Sequence, residues 1–220
     1  SSLLSRMEAA PHRLPIMGIG NKDTPAWSAI DFNRDGYTDF CISAPQLSQV
    51  HLYIGGPNGL NPVPRTIDSL TAIKTMDTTE NGDLVVFSTV EKAVALHPRG
   101  QPETFPVIFK AAGKPVAAAV AQPSSLFAIF KEKTGSIQLH QFDTRKPEAA
   151  PLRSISFKTL NIDNPPSAIK VFPIEKNNQW LVMLFMPYEP PVVFTLDQET
   201  GKTSPVTPDR FRAMALNLAP

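Results

Sequence analysis

Short apolar segments recur along almost the whole chain, and their regular spacing restricts the fold more than any other feature of the sequence. From Trp27 onward, runs rich in Val, Ile and Phe are bounded by Pro, Gly, Asn or Asp. Such runs are typical of β-strands. The predicted strands span residues 27–32, 39–45, 50–55, 65–69, 71–76, 83–89, 93–98, 103–109, 115–121, 125–131, 136–142, 152–158, 166–172, 179–186, 191–196 and 211–218.

Composition supports a compact chain without long helices. Proline accounts for 23 of the 220 residues, about twice the usual ~5%, and proline in a helix interior breaks the helix. Apolar residues make up 42% and charged residues 19%, which is a globular rather than a disordered composition. We therefore expect an all-β protein with a sizeable core.

The strands repeat in groups of four. The first strands of successive groups begin at 27, 71, 115, 166 and 211, so the spacings are 44, 44, 51 and 45 residues. The second strand of each group is the most apolar: DFCISAP, DLVVFST, SLFAIFK and QWLVMLFMP. Four strands in about 45 residues indicate a β-propeller blade. The spacing predicts a β-propeller of four-stranded antiparallel blades, with each second strand buried on both faces.

The repeats divide the chain into consecutive segments. Residues 1–24 form an N-terminal segment in which 12–20 is a candidate last strand of a preceding blade. The blades are predicted at 25–70, 71–114, 115–165 and 166–210, and residues 211–220 as the first strand of a next blade. About four blades are thus visible. We favour an arc of a longer propeller, whose open edges other chain segments would cover; the alternative is a closed four-bladed ring.

One loop carries the spacing of a cation site. The segment DFNRDGYTD places oxygen ligands at loop positions 1, 3, 5, 7 and 9: Asp31, Asn33, Asp35, the carbonyl of Tyr37, and Asp39. Gly36 at position 6 permits the tight turn, and such oxygen-only sets suit calcium. Position 12, where an EF-hand has glutamate, is Ile42 inside a predicted strand. A hairpin of Asx turns that needs no metal is the alternative.

The same region resembles a known repeat. DFNRDGYTDFCISAP followed by VHLYIGGPNGL is similar to the FG-GAP or VCBS repeat, the blade of integrin-α-like propellers. The resemblance implies calcium bound by the five loop residues, in a structural role. The equivalent segments of the later blades, at 77–83, 121–125 and 173–179, are shortened or lack the aspartate ladder. One metal ion is therefore expected.

Other residue patterns exclude several classes of function. The 21 basic and 20 acidic residues leave a net charge of +1, and every apolar run is far shorter than a membrane span. Nucleic-acid binding and membrane insertion therefore lack support. The single Cys41 excludes an internal disulfide and a cysteine-rich zinc site, and we expect it to be a core residue. The four histidines are far apart in the sequence, with no metal-ligand spacing.

These observations predict a non-enzymatic, calcium-stabilised binding or scaffold module. Its partner would be a protein or a glycan, and membership of a multi-subunit complex is also consistent with the pattern. The resemblance implies a bacterial protein of the periplasm, cell surface or medium. The alternative is a catalytic propeller, of the lyase or quinone-dependent dehydrogenase type, with its site on the central channel.

Overall fold

The described residues form sixteen strands arranged in four antiparallel sheets. The computed structural model describes residues 25–44, 46–101, 104–174, 178–207 and 209. Two compact units make up the chain: unit 1 comprises Ser1–Lys110 with Thr144–Ala149, and unit 2 comprises Ala111–Asp143 with Ala150–Pro220. Each unit contains two of the sheets, which we call blades 1 to 4 in chain order. The described residues include no helix long and apolar enough to cross a bilayer.

Unit 1 contains blades 1 and 2. Strand order follows chain order in both, with every neighbour antiparallel. Blade 1 consists of β1 (Trp27–Ile30), β2 (Asp39–Ala44), β3 (Gln49–Tyr53) and β4 (Arg65–Asp68). Blade 2 consists of β5 (Ile73–Thr78), β6 (Leu84–Ser88), β7 (Ala93–His97) and β8 (Val107–Ile108).

The core of unit 1 is built from alternate residues of its two blades. In blade 1, Cys41, Val50 and Leu52 are fully buried and pack in one cluster with Leu84 and Val86 of blade 2. The first strands β1 and β5 contact each other. Every residue of β6 is buried, as we predicted for a second strand covered on both faces.

Unit 2 contains blades 3 and 4, built in the same way. Blade 3 consists of β9 (Lys114–Ala121), β10 (Ser125–Lys131), β11 (Ile137–Asp143) and β12 (Arg153–Ser156), followed by a 3-10 turn at Phe157–Leu160. Blade 4 consists of β13 (Ala168–Ile174), β14 (Gln179–Phe185), β15 (Val192–Asp197) and β16 (Thr203–Pro205).

The core of unit 2 joins its two second strands. The Trp180 ring of β14 packs edge-on against the Phe127 ring of β10, with 5.6 Å between ring centroids. Three alanines of β9, at 117, 119 and 121, are buried in the same cluster, and β9 contacts β13. Small residues on β9 allow the first strands of the two blades to approach closely.

The predicted strands agree with the structure over the described residues. Each prediction from 27–32 through 191–196 overlaps an observed strand, and the all-β class with four-stranded antiparallel blades is confirmed. Strand β16 was missed, because Thr203–Pro205 is three residues long and holds no large apolar side chain. The predicted strands at 12–20 and 211–218 lie outside the described residues.

Candidate metal centre

The candidate cation loop connects β1 to β2 in blade 1. Residues 33–38 are exposed, whereas Asp39, the first residue of β2, is fully buried. Two residues of the loop, Arg34 (φ 63°) and Gly36 (φ 86°), have left-handed backbone conformations. Glycine adopts this conformation without the steric penalty that a Cβ brings. Gly36 therefore serves the tight turn that the sequence predicted.

Side-chain oxygens within the loop fold back onto its own amides. The backbone amide of Tyr37 donates to Asp35 Oδ1 at 2.8 Å, and that of Asp35 donates to Asn33 Oδ1 at 3.1 Å. The amide of Gly36 donates to Asp31 Oδ2 at 3.0 Å. These are the local bonds by which Asx residues stabilise turns. They bring three of the predicted ligands, Asp31, Asn33 and Asp35, into one hydrogen-bonded loop.

Asp39 joins the loop to the third strand. Its Oδ2 accepts the Phe32 amide and its Oδ1 accepts the Gly55 amide, both at 2.7 Å. Burial raises the pKa of Asp39, the two amide bonds lower it, and the nearby charges of Asp35 and Asp31 raise it further. The carboxylate therefore clamps the end of the β3 segment to the start of β2, a structural role that we did not predict from the sequence.

The oxygen set of the loop suits a hard cation. Asp31 Oδ1 is buried and accepts no hydrogen bond, although a buried carboxylate oxygen without a partner is costly. Over the described ranges, no three His, Cys, Asp or Glu side chains form a group that could hold a metal. A cation here would need neutral oxygens as well, from Asn33 and the Tyr37 carbonyl, and calcium commonly takes such ligands.

Blade 2 has a similar clamp, but its turn lacks the alternating oxygen ligands of the blade 1 loop. Asp83 Oδ1 accepts the Arg99 amide at 2.9 Å, and Oδ2 accepts the Thr79 hydroxyl at 3.1 Å. The donor amide lies 16 residues after the aspartate in both blades. An aspartate at the start of the apolar second strand, or directly before it, in two successive repeats was the sequence signal for this shared role.

Arg99 is a second residue that the sequence did not single out. Its guanidinium donates to the carbonyl oxygen of Phe32 at 3.1 Å (Nε) and to that of Asn81 at 2.9 Å (Nη1). A third, longer contact of 3.5 Å joins Nη2 to the Asp31 carbonyl. Arg99 thus links the candidate cation loop of blade 1 to the corresponding turn of blade 2.

Two of the histidines, His97 and His140, and Cys41 are buried within the blades. His97 is fully buried, its Nε2 lies 2.8 Å from Ser69 Oγ, and burial lowers its pKa to about 4. His140 makes a similar 2.8 Å bond from Nδ1 to Ser154 Oγ. Burial, with a smaller contribution from the Asp39 charge, raises the pKa of Cys41 to about 12. At neutral pH the His97 ring is therefore neutral and the Cys41 thiol is protonated.

Comparison with solved structures identifies the fold. The chain is similar to apo AztD from Citrobacter koseri (13% identity, TM-score 0.52, covering 76% of this chain and 43% of that one). It is also similar to dihydro-heme d1 dehydrogenase NirN, at 13% identity and a TM-score of 0.52, covering 77% of this chain and 35% of that one. The chain has the β-propeller fold.

A third structure extends the similarity over more of the chain. A protein of unknown function from Desulfotomaculum acetoxidans matches at 16% identity and a TM-score of 0.52, covering 86% of this chain and 56% of that one. The chain thus spans between about a third and just over half of these three structures. No protein-family model matches the sequence, and no curated protein matches it.

Proposed function

We propose that the chain is a non-enzymatic β-propeller module for binding or scaffolding, with one structural calcium ion in the loop from Asp31 to Asp39. The ligands would be the five oxygens predicted from the sequence, those of Asp31, Asn33, Asp35, the Tyr37 carbonyl and Asp39. The observation that carries the proposal is the buried, unpartnered Oδ1 of Asp31. It lies in a loop where Asp31 Oδ2, Asn33 Oδ1 and Asp35 Oδ1 each accept a backbone amide of the loop itself.

Electrostatics support a cation in this loop. The charges of Asp31 and Asp35 raise the pKa of Asp39, so the three carboxylates repel one another when ionised. A bound calcium ion supplies two positive charges and offsets this repulsion. It would also hold the β1–β2 connection in one conformation and so stabilise the hairpin to which Asp39 is clamped.

The resemblance to FG-GAP and VCBS repeats supports the same interpretation of the loop and suggests the setting. Calcium is abundant outside the cytoplasm, so we place the protein in the periplasm, at the cell surface or in the medium of a bacterium. A protein or glycan would bind to loops at the faces of the blades, since connecting loops on a rigid scaffold commonly carry recognition.

Two residues that could serve as nucleophile or base do not favour the catalytic alternative. A reactive cysteine needs a lowered pKa and access to solvent, whereas Cys41 is fully buried with a pKa of about 12. A general base works best with a pKa near the operating pH, whereas His97 is buried with a pKa of about 4. Both residues fit a role in the core.

Thermal unfolding in EDTA and in millimolar calcium tests the proposal. A ligand at 100 times its Kd stabilises the native state by about 2.7 kcal/mol, which raises the midpoint of a chain of this size by about 5–10 °C. We expect this shift in the parent protein and not in Asp35→Ala. Glu80→Ala is the matched control, because Glu80 is an exposed acid in the corresponding turn of blade 2. Equal shifts in all three proteins, or none in the parent, would contradict the proposal.

A further inference from the structure

A pocket of about 770 Å3 lies in unit 1 beside the candidate cation loop. Asn33 and Arg34 of that loop form part of its wall, and Arg99 and Gly100 after β7 form another part. Apolar side chains, among them the buried Phe32 and Leu96, also line it. Its size falls in the range of small-molecule sites, which combine apolar walls with a few convergent polar groups.

Most arginines in the described part of the chain lie at this pocket. The described ranges contain five arginines, and four of them line it: Arg34, Arg65, Arg99 and Arg145. The fifth, Arg153, donates to the carbonyl oxygens of Asp197 and Gln198. None of the ten lysines in the same ranges lines the pocket. A planar guanidinium presents paired N–H donors that match a carboxylate or phosphate group, which an ammonium group does not.

Positive charge in the pocket exceeds the negative charge. Asp83 is the one acidic residue of the lining, and its oxygens already accept the Arg99 amide and the Thr79 hydroxyl. Four arginines and one aspartate, whose oxygens already accept these two donors, therefore line the pocket. Like charges gathered at one site repel, and a bound anion would offset that repulsion.

Two of the arginines show how the site would work. Arg99 is held in place by bonds to three backbone carbonyls, and a guanidinium has five N–H donors, so two remain available. Arg34 forms no hydrogen bond or ion pair with any described residue. Arg99 and Arg34 are suited to bind an anion reversibly. The fixed Arg99 guanidinium loses little conformational freedom on binding, and the Arg34 guanidinium breaks no existing hydrogen bond to a described residue when it binds.

We propose that this pocket binds a small anion carrying at least two carboxylate or phosphate groups. The inference goes beyond the proposed function, whose partner is a protein or a glycan, by adding a small-molecule ligand to the same module. It does not require calcium, because the arginine side chains supply the positive charge.

Isothermal titration calorimetry at low ionic strength tests the site. The protein is first freed of calcium on a chelating resin and kept in buffer without EDTA, because EDTA is itself a polycarboxylate of the proposed ligand class. Citrate probes carboxylates and pyrophosphate probes phosphates, while acetate is the singly charged comparison. We expect saturable binding of citrate, pyrophosphate or both, and the stronger one identifies the chemistry. Failure of both to saturate by 10 mM would overturn the proposal. Because the protein is free of calcium in this titration, a failure of the calcium proposal in thermal unfolding leaves this result unaffected.

Single substitutions separate a specific site from diffuse charge attraction. Arg34→Gln and Arg145→Gln should each weaken binding about tenfold, as expected for the loss of one charge-assisted hydrogen bond. Lys170→Gln is the control. It removes the same charge, but Lys170 is exposed on β13 in unit 2 and does not line the pocket. Thermal midpoints in EDTA verify that the variants are folded. The assignment would be refuted if Lys170→Gln weakened anion binding as much as the arginine variants, or if neither arginine variant weakened it.

Discussion

Replacing Asp39 by alanine is the substitution from which we expect the largest local effect. Asp39 is fully buried, and its two oxygens accept the backbone amides of Phe32 and Gly55 at 2.7 Å. Alanine leaves both buried donors without an acceptor and disconnects the β1–β2 loop from the end of β3. The effect does not require calcium, so it is measurable in EDTA.

The magnitude follows from the two opposing contributions. Each buried donor left unsatisfied costs about 1–3 kcal/mol, which gives about 2–6 kcal/mol for the pair. The carboxylate itself is costly to bury, as its raised pKa shows, and its removal returns part of that cost. We therefore expect Asp39→Ala to lower the free energy of unfolding by about 2–4 kcal/mol. Such a loss is a large fraction of the 5–15 kcal/mol that stabilises a typical domain.

Urea unfolding followed by circular dichroism measures this loss, with two matched variants. Asp39→Asn keeps one acceptor oxygen but places its side-chain amide donor opposite a backbone donor. It should therefore lower the free energy of unfolding by about half as much as Asp39→Ala. Asp83→Ala removes the equivalent clamp of blade 2, where the bonds are only partly buried, and should cost about 1–2 kcal/mol. A loss below about 1 kcal/mol for Asp39→Ala, or a larger loss for Asp83→Ala, would refute the clamp.

Three further predictions concern buried or crowded positions. The pKa of His97 falls from 6.5 to about 4 on folding, so stability should decrease by about 3 kcal/mol as the pH drops from 6.5 to 4; in urea titrations, His97→Gln should lose that dependence. Gly36→Ala should cost about 1–2 kcal/mol, because Gly36 has a left-handed backbone conformation. Gly55→Ala should destabilise the protein more, because a Cβ at Gly55 would lie 2.3 Å from the Thr38 carbonyl oxygen. Equal unfolding midpoints would contradict this order. Cys41 should resist thiol reagents in native protein and react fully in urea; rapid native labelling would contradict its burial.

Strand positions were predictable because the repeat is local and strong. The second strands β6 and β10 are buried over nearly their whole length, so their apolar composition alone marks them, and both lie within one residue of the predicted ends. In β2 and β14 buried residues alternate in part with half-buried ones, so the predicted burial on both faces holds only in part there. Prediction was weakest where a strand has little apolar content. Only two residues of the segment predicted at 103–109 pair as β8, and the polar β16 was missed.

The candidate loop was predictable for the same local reason. The predicted oxygen ligands lie within nine consecutive residues, so Asp31, Asn33 and Asp35 were proposed from their spacing, and the short loop brings these three side chains together. Asp39 was predicted as a ligand from its position in the series. Its role as a clamp was not predicted, because one of its two donors, Gly55, is 16 residues away along the chain.

The sequence by itself determined the all-β class, the four-strand repeat and the chemistry of one loop, since each depends on residues close together in the chain. Only the tertiary structure decided that Arg99 links two loops across 67 residues, that Ser69 is the partner of His97, and that four arginines share one pocket. Such contacts depend on how the strands of successive blades are placed in space. Side chains that meet in this way have no common spacing in sequence, so no local pattern marks them.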